Sequence, residues 1–312
     1  MNVLARAGRH ATLVMAAGVL LGLALPPLAA LFRPFLLPAL LIPFTVALAR
    51  IDLGALAASF RPPVLVPAAV LWSLLGSPLL TAFVAAPLDL PPLLYAALVV
   101  QAACAPLFSA AALALLLRLD ASLALLVTLA ATAFVPLSVP PLAFGLAGLS
   151  VDLDGWALTL RLVAIVGGGF LAARLARRVT GAERLRALAV ELDGLAVLGF
   201  AAFALGIMVD VQGQLLARPG FVLLCLAAAV LLNAGLQALT ALATLPFVPR
   251  RAALTLGLVA GNNNFGLVLA AMGGAAPADL VLFVAVAQLP IYLLPALQAP
   301  LYRRWLDQGS DP

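Results

Sequence analysis

Residues 254–274 read LTLGLVAGNNNFGLVLAAMGG, and the three asparagines inside this apolar run decide how the chain is understood. Each side-chain amide carries donors and an acceptor that must be paired, and an unpaired polar group in a dry interior costs on the order of several kcal/mol. Three successive residues point in three directions around a helix, so a continuous helix has no ready way to satisfy all of them. A break resolves the conflict. Where a helix unwinds inside a membrane, backbone groups lose their partners, and asparagine side chains serve both as donors and as acceptors. Gly257 and Gly261 stand where such a break begins. They also form a GxxxG pair, as do Gly18 and Gly22, a spacing that serves close helix packing by itself.

The rest of the chain is built for a membrane. Hydrophobic residues make up 65% and charged residues 9%, with a mean hydropathy of +1.21, against about 45–50% and about 25% in soluble domains. The apolar blocks are long enough to cross a hydrocarbon layer of about 30 Å. About ten spans are predicted, at 10–30, 34–50, 63–86, 91–117, 120–147, 156–178, 187–209, 219–247, 251–273 and 277–302. Arg6 and Arg9 before a run ending in PPLAA imitate a secretory signal, but the spans that follow favour an uncleaved first helix. Cys104 and Cys225 fall inside spans and read as small packing residues.

Every basic residue is arginine, and the sequence pI is about 10.2. Their placement points to topology rather than to nucleic acid. Alternating the connections puts Arg6, Arg9, Arg50, Arg61, Arg118, Arg174, Arg177, Arg178, Arg184, Arg186, Arg250, Arg251, Arg303 and Arg304 on one side. Only Arg33, Arg161 and Arg218 fall on the other, together with Asp89, Asp152, Asp154, Asp210 and Asp279. The positive-inside rule then places both termini in the cytoplasm, for a multi-pass protein of a bacterial inner membrane.

The longest polar interruption, ARRVTGAERLR at 176–186, lies near the centre of the chain. Two halves of five spans, residues 1–150 and 151–312, would have opposite orientations and form inverted repeats. The fourth span of each half carries a break signal. In span four it is QAACAPLFSAAALALLLR, residues 101–118, where Pro106 removes a backbone donor and disfavours helix at Ala105. The fold class predicted is an all-α polytopic membrane protein with about ten transmembrane helices in two inverted five-helix repeats. Broken helices four and nine would cross, offering helix N-termini near Phe108 and Asn264 to an anionic group.

GNNNFGLVLAA followed by VAVAQLPIYLLPALQAPLYRRW resembles the last two spans of the bile acid/sodium symporter superfamily, particularly its bacterial branches. CAPLFSAAALALLLRLDASLALLVTLAATAFVPL resembles that family's crossover helix and the following span. The resemblance implies a ten-helix transporter with a core and a panel domain, whose two broken helices cross beside the substrate and sodium sites. It also implies sodium ligands at six positions. Here these are Ala110, Ala111, Ala124, Thr128, Val259 and Ser73, of which only Thr128 is retained and Ser73 keeps an oxygen.

The candidate substrate-binding residues are Asn262, Asn263, Asn264, Phe108, Ser109, Gln101, Asn233, Gln237 and Gln288. Thr128, Ser73, Asn262 and Asn263 are the candidate sodium ligands. Sodium is the one cofactor implied, and the expected partners are a small organic anion or amphipathic metabolite and the lipid bilayer. Apart from Glu191 and Asp193 near an interface, and Asp120 and Asp279 at the first turns of their spans, no carboxylate falls within a span, which weakens both sodium and proton coupling. Enzymatic motifs are missing: one histidine, no lysine and no buried aspartate pair leave no metalloprotease or hydrolase constellation. Alternatives are a ten-helix drug/metabolite exporter or auxin-efflux-type carrier, and a non-transporting membrane receptor. Reporter domains fused to either terminus are expected to report the cytoplasm; activity only outside the cell would reverse the topology.

Overall fold

Helix starts are written locally in this chain. Proline occupies the first turn at Pro26, Pro92 and Pro219, where its missing N–H is not needed. Asp120 and Asp154 cap the helices that follow them by accepting from the amides of Leu123 and Ala157. The structure, a computed structural model, describes residues 3–50, 64–149, 151 and 153–307. Arg61 and Asp152, used above to assign sides, lie outside the described residues.

The elements are α1 (Val3–Arg9), α2 (Ala11–Ala24), α3 (Pro26–Arg50), α4 (Leu65–Leu88), α5 (Pro92–Ala103), α6 (Ala110–Leu116) and α7 (Ala121–Leu146). They continue with α8 (Gly155–Thr180), α9 (Ala182–Ala187), α10 (Ala189–Ala217), α11 (Pro219–Thr244), α12 (Arg250–Gly261), α13 (Phe265–Met272) and α14 (Ala278–Asp307). Among the described residues seven helices, α3, α4, α7, α8, α10, α11 and α14, are long and apolar enough to cross a membrane. The chain is therefore a multi-pass, all-helical membrane protein.

Boundaries differ from the sequence reading at three places, one of them the end of α10, expected at 209 and found at Ala217. The first span was expected to run to residue 30 and the second to begin at 34. Instead α2 ends at Ala24, and α3 runs from Pro26 to Arg50. Pro26 and Pro27 initiate a helix here, and the turn at Arg33–Phe35 tightens to a 3-10 form that carries Pro34 without ending the helix. The last span is also longer than expected, ending at Asp307, with Pro290, Pro295 and Pro300 inside α14 as they were inside the expected span.

Two groups of helices emerge from the packing. α1, α2 and α3 lie against α10, and α12 and α14 lie against α11; α8 joins the two groups, packing on α3 and equally on α7, which also touches α4, α6 and α12. Small residues set the closest approaches. A Cβ at Gly18 would stand 2.6 Å from the Ala201 carbonyl oxygen, and one at Gly22 2.5 Å from that of Leu205. A Cβ at Gly257 would stand 2.5 Å from the Gln237 oxygen, and one at Gly261 would collide with the Asn233 carbonyl. Both GxxxG pairs are thus packing surfaces, and the second is also the approach to a break. Gly257→Ala is expected to destabilise the protein by about 1–3 kcal/mol through this overpacking. Gly235→Ala, where nothing lies within 4 Å, is expected to cost nothing. Thermal unfolding of the detergent-purified variants compares them.

Candidate functional site

The two interruptions meet. α5 ends at Ala103, and α6 begins at Ala110; α12 ends at Gly261, and α13 begins at Phe265. Between them Pro106 and Asn263 form a single antiparallel bridge. The Leu107 amide donates to the Asn262 carbonyl at 2.8 Å, and the Asn264 amide donates to the Ala105 carbonyl at 2.8 Å. In this pattern the central pair exchanges no hydrogen bond, so Pro106 sits at the position from which no N–H is asked. The break that proline causes is also the one place in this bridge that tolerates it.

Each asparagine has its own task. Asn262 ends α12, and its backbone amide and its Nδ2 both donate to the Leu258 carbonyl, at 3.2 and 2.9 Å, so the side chain doubles the last bond of the helix. Asn263 carries the bridge, and its carbonyl accepts from Gln101 Nε2 at 3.2 Å. Asn264 caps α13, accepting from the Leu267 amide at 3.3 Å. From α11, Asn233 Nδ2 donates to the Gly261 carbonyl at 2.7 Å and to Asn262 Oδ1 at 3.2 Å. Gln237 Nε2 donates to Asn233 Oδ1 at 2.6 Å, and Tyr302 Oη donates to Gln237 Oε1 at 2.7 Å.

Four atoms around the crossing stay without a partner although buried: Gln101 Oε1, Ser109 Oγ, Asn263 Oδ1 and Asn264 Nδ2. Their residues are only 2–6% exposed. Each such atom costs about 1–3 kcal/mol unless something polar meets it. The set mixes acceptors with donors.

A cavity of about 810 Å³ runs from Phe108, Ser109 and Ala111 between the two helix groups to Arg9, Arg50, Arg186 and Asp193. Its walls are apolar, including Met15, Val46, Leu113 and Phe200. Arg50 forms an ion pair with Asp193, whereas Arg9 and Arg186 are exposed. At its inner end Phe108 stacks on Phe44 with centroids 4.4 Å apart, and Phe44 meets Phe170 edge-on. Arg161 of α8 donates to the carbonyls of Ala271 and Met272 at 3.3 and 3.1 Å, closing the far end of α13.

Of the residues predicted from the sequence, Gln101, Asn233, Gln237, Asn262, Asn263 and Asn264 converge on the crossing, and Phe108 and Ser109 line the cavity beside it. Helix α6 starts at Ala110, two residues from Phe108, and is only seven residues long. Gln288 does not join: its Nε2 is spent on the Val284 carbonyl of its own helix. Thr128 likewise donates to its own Ala124 carbonyl at 2.8 Å. Ser73 lies in a wider π-helical turn of α4, lining a separate cavity of about 200 Å³ with Trp72, Leu256 and Val259.

Ala110, Ala124 and Val259 belong to one buried apolar cluster with Leu113, Val127 and Leu258. Those side chains offer no oxygen, so they do not fit the two-sodium arrangement that the resemblance implies. Tyr302, Phe44 and the arginines of the cavity escaped the sequence reading.

A multi-pass helical membrane protein with two interrupted helices clasped at their breaks is the class that these features define. Comparison with known protein families and with characterised proteins gives no match.

The three asparagines should separate on substitution. Asn262→Ala loses two buried side-chain hydrogen bonds, one to Leu258 O and one from Asn233 Nδ2, although each of those atoms keeps another partner, and is expected to cost the most, about 1–3 kcal/mol. Asn264→Ala loses a cap worth about 1 kcal/mol. Asn263→Ala removes an oxygen with no protein partner and is expected to stay within about 0.5 kcal/mol. Thermal melts of the three variants, ranked against the parent, check this order.

Proposed function

We propose that the chain is a secondary transporter of a small organic anion or amphipathic metabolite, working by alternating access around the crossing. The observation that carries this reading is the set of four buried, unpartnered polar atoms at two facing helix breaks, one of which, on Ser109, belongs to a residue lining a cavity of about 810 Å³. Such a volume lies within the range of about 300–1,000 Å³ typical of ligand sites. Irregular backbone at a transporter's substrate site is tolerated where it lines a cavity.

In this reading α5 with α6 and α12 with α13 are two discontinuous spans, and α1 with α2 is another. Together with the seven long helices they make ten, in inverted halves of 1–150 and 151–312. Both termini face the cytoplasm. Charge pairing supports that sidedness: Arg33 lies 3.6 Å from Asp210 and Arg218 2.5 Å from Asp279, so these two arginines of the poorer face meet aspartates assigned to that face. Facing breaks also favour a bile acid/sodium symporter-like carrier over the exporter and auxin-efflux alternatives, and the unpartnered polar atoms favour a carrier over a receptor. Arginines and an apolar wall suit an anion with a hydrophobic body. The apolar cluster at Ala110, Ala124 and Val259 supports sodium coupling that is weakened, altered or lost. No catalytic role is assigned.

Reconstituted proteoliposomes screened with labelled organic acids test this. Uptake is expected for at least one amphipathic anion, to change less than about twofold when a sodium gradient is imposed, and to collapse in an Asn263→Ala, Asn264→Ala double variant. Strict dependence on two sodium ions would overturn the coupling proposal. Full transport in the double variant would overturn the site.

A further inference from the structure

The hydrogen bonds of α11 form a chain with one direction, and it begins forty residues downstream of the break. Tyr302 Oη donates to Gln237 Oε1, Gln237 Nε2 to Asn233 Oδ1, and Asn233 Nδ2 to Asn262 Oδ1. Asn262 Nδ2 then donates to the Leu258 carbonyl. A backbone carbonyl only accepts, so Leu258 O and Gly261 O fix which way the amides of Asn262 and Asn233 face. Asn233 must then present oxygen to Gln237, and Gln237 must present oxygen to Tyr302. The chain closes only if its last member is a donor. A phenol hydroxyl is one, and Tyr302 is buried at 9% exposure where water offers little substitute.

Gln237 is more than a link. Its Cγ would lie 2.5 Å from a Cβ at Gly261, so the last residue of α12 rests directly on this side chain. If the Tyr302 hydroxyl is removed, Gln237 Oε1 becomes an unpaired buried acceptor, and its amide cannot reverse without setting two oxygens against each other at Asn233. Leaving its seat is the cheapest response. That shift takes with it both the Asn233 amide and the ledge under Gly261. α14 is also tied to the start of α12, since Arg250 donates to the Trp305 carbonyl at 2.7 Å.

We propose that Tyr302 is a positioning residue for the crossing: through Gln237 and Asn233 it fixes Asn262, and so holds the break in the geometry that leaves Asn263 Oδ1 and Asn264 Nδ2 free for a ligand. The role assigned to those free atoms rests on the transporter reading; the positioning itself does not. The buried amides of Leu107 and Asn264 join the two breaks and report the clasp directly.

Amide hydrogen exchange on the full-length, detergent-purified protein tests it, reading the segments 101–110 and 257–267. Tyr302→Phe is expected to speed exchange at Leu107 and Asn264 about tenfold, the effect of one buried acceptor left unpaired. Gln237→Leu should act on the same two amides and more strongly. Tyr292→Phe, a buried tyrosine of the same helix outside the chain, should leave both unchanged. Unaltered exchange in Tyr302→Phe, or an equal rise along every helix, would overturn the proposal. Uptake by the parent protein in liposomes is read separately. Failure there removes the transporter reading and leaves the exchange result standing, whereas normal uptake with an unmoved clasp removes the positioning role.

Discussion

Two backbone hydrogen bonds, between residues 105–107 and 262–264, govern the rest of this molecule. A membrane offers unwound backbone no water, so an interrupted helix survives only if another element meets its open groups. Here each interruption is the partner of the other. Neither break is stable alone, and this mutual need fixes where α5 must stand relative to α12. The same constraint explains the residue types at the crossing: a proline where no donor is called for, glycines where α12 presses on α11, and amides where helix ends leave donors and acceptors open.

Packing and polarity are therefore not rival explanations for GNNNFG. Gly257 and Gly261 bring α12 close enough to α11 for the Asn233 side chain to reach both Gly261 O and Asn262. With a bulkier residue at 261, Asn233 would be pushed out of range and the helix end would lose its outside donor. Close approach makes the hydrogen bonding possible, and the hydrogen bonding pins the end of α12. What is left over, a few buried polar atoms without partners, is the feature on which the proposed ligand site rests.

Much of this was legible in the sequence because it rests on local chemistry. Three consecutive amides in an apolar run are hard to satisfy on a straight helix, and Pro106 marks the matching break. Gln101, Asn233 and Gln237 were candidates for their polarity alone, and their convergence on that point depends on packing between helices. Long-range facts were not written locally. Tyr302 was passed over because its partner lies on another helix, and Gln288 was named as a site residue although its amide nitrogen is taken up by its own helix. The start of α3 was misplaced because the Pro-Pro pair at 26–27, which looks like an ending, begins a helix. The cavity arginines were understood only as topology signals, since nothing in their spacing shows that α1, α3 and α9 bring them to one opening.

The clasp itself can be trapped chemically. Residues paired across a narrow antiparallel bridge have Cα atoms about 4.5 Å apart, within the range that a disulfide spans. With Cys104 and Cys225 replaced by alanine, Pro106→Cys combined with Asn263→Cys is expected to form an intramolecular disulfide under mild oxidation, and Leu113→Cys with Asn263→Cys is expected to stay reduced. Two free thiols in the first pair, in a protein that is folded and oxidised, would contradict the crossing on which everything else here depends.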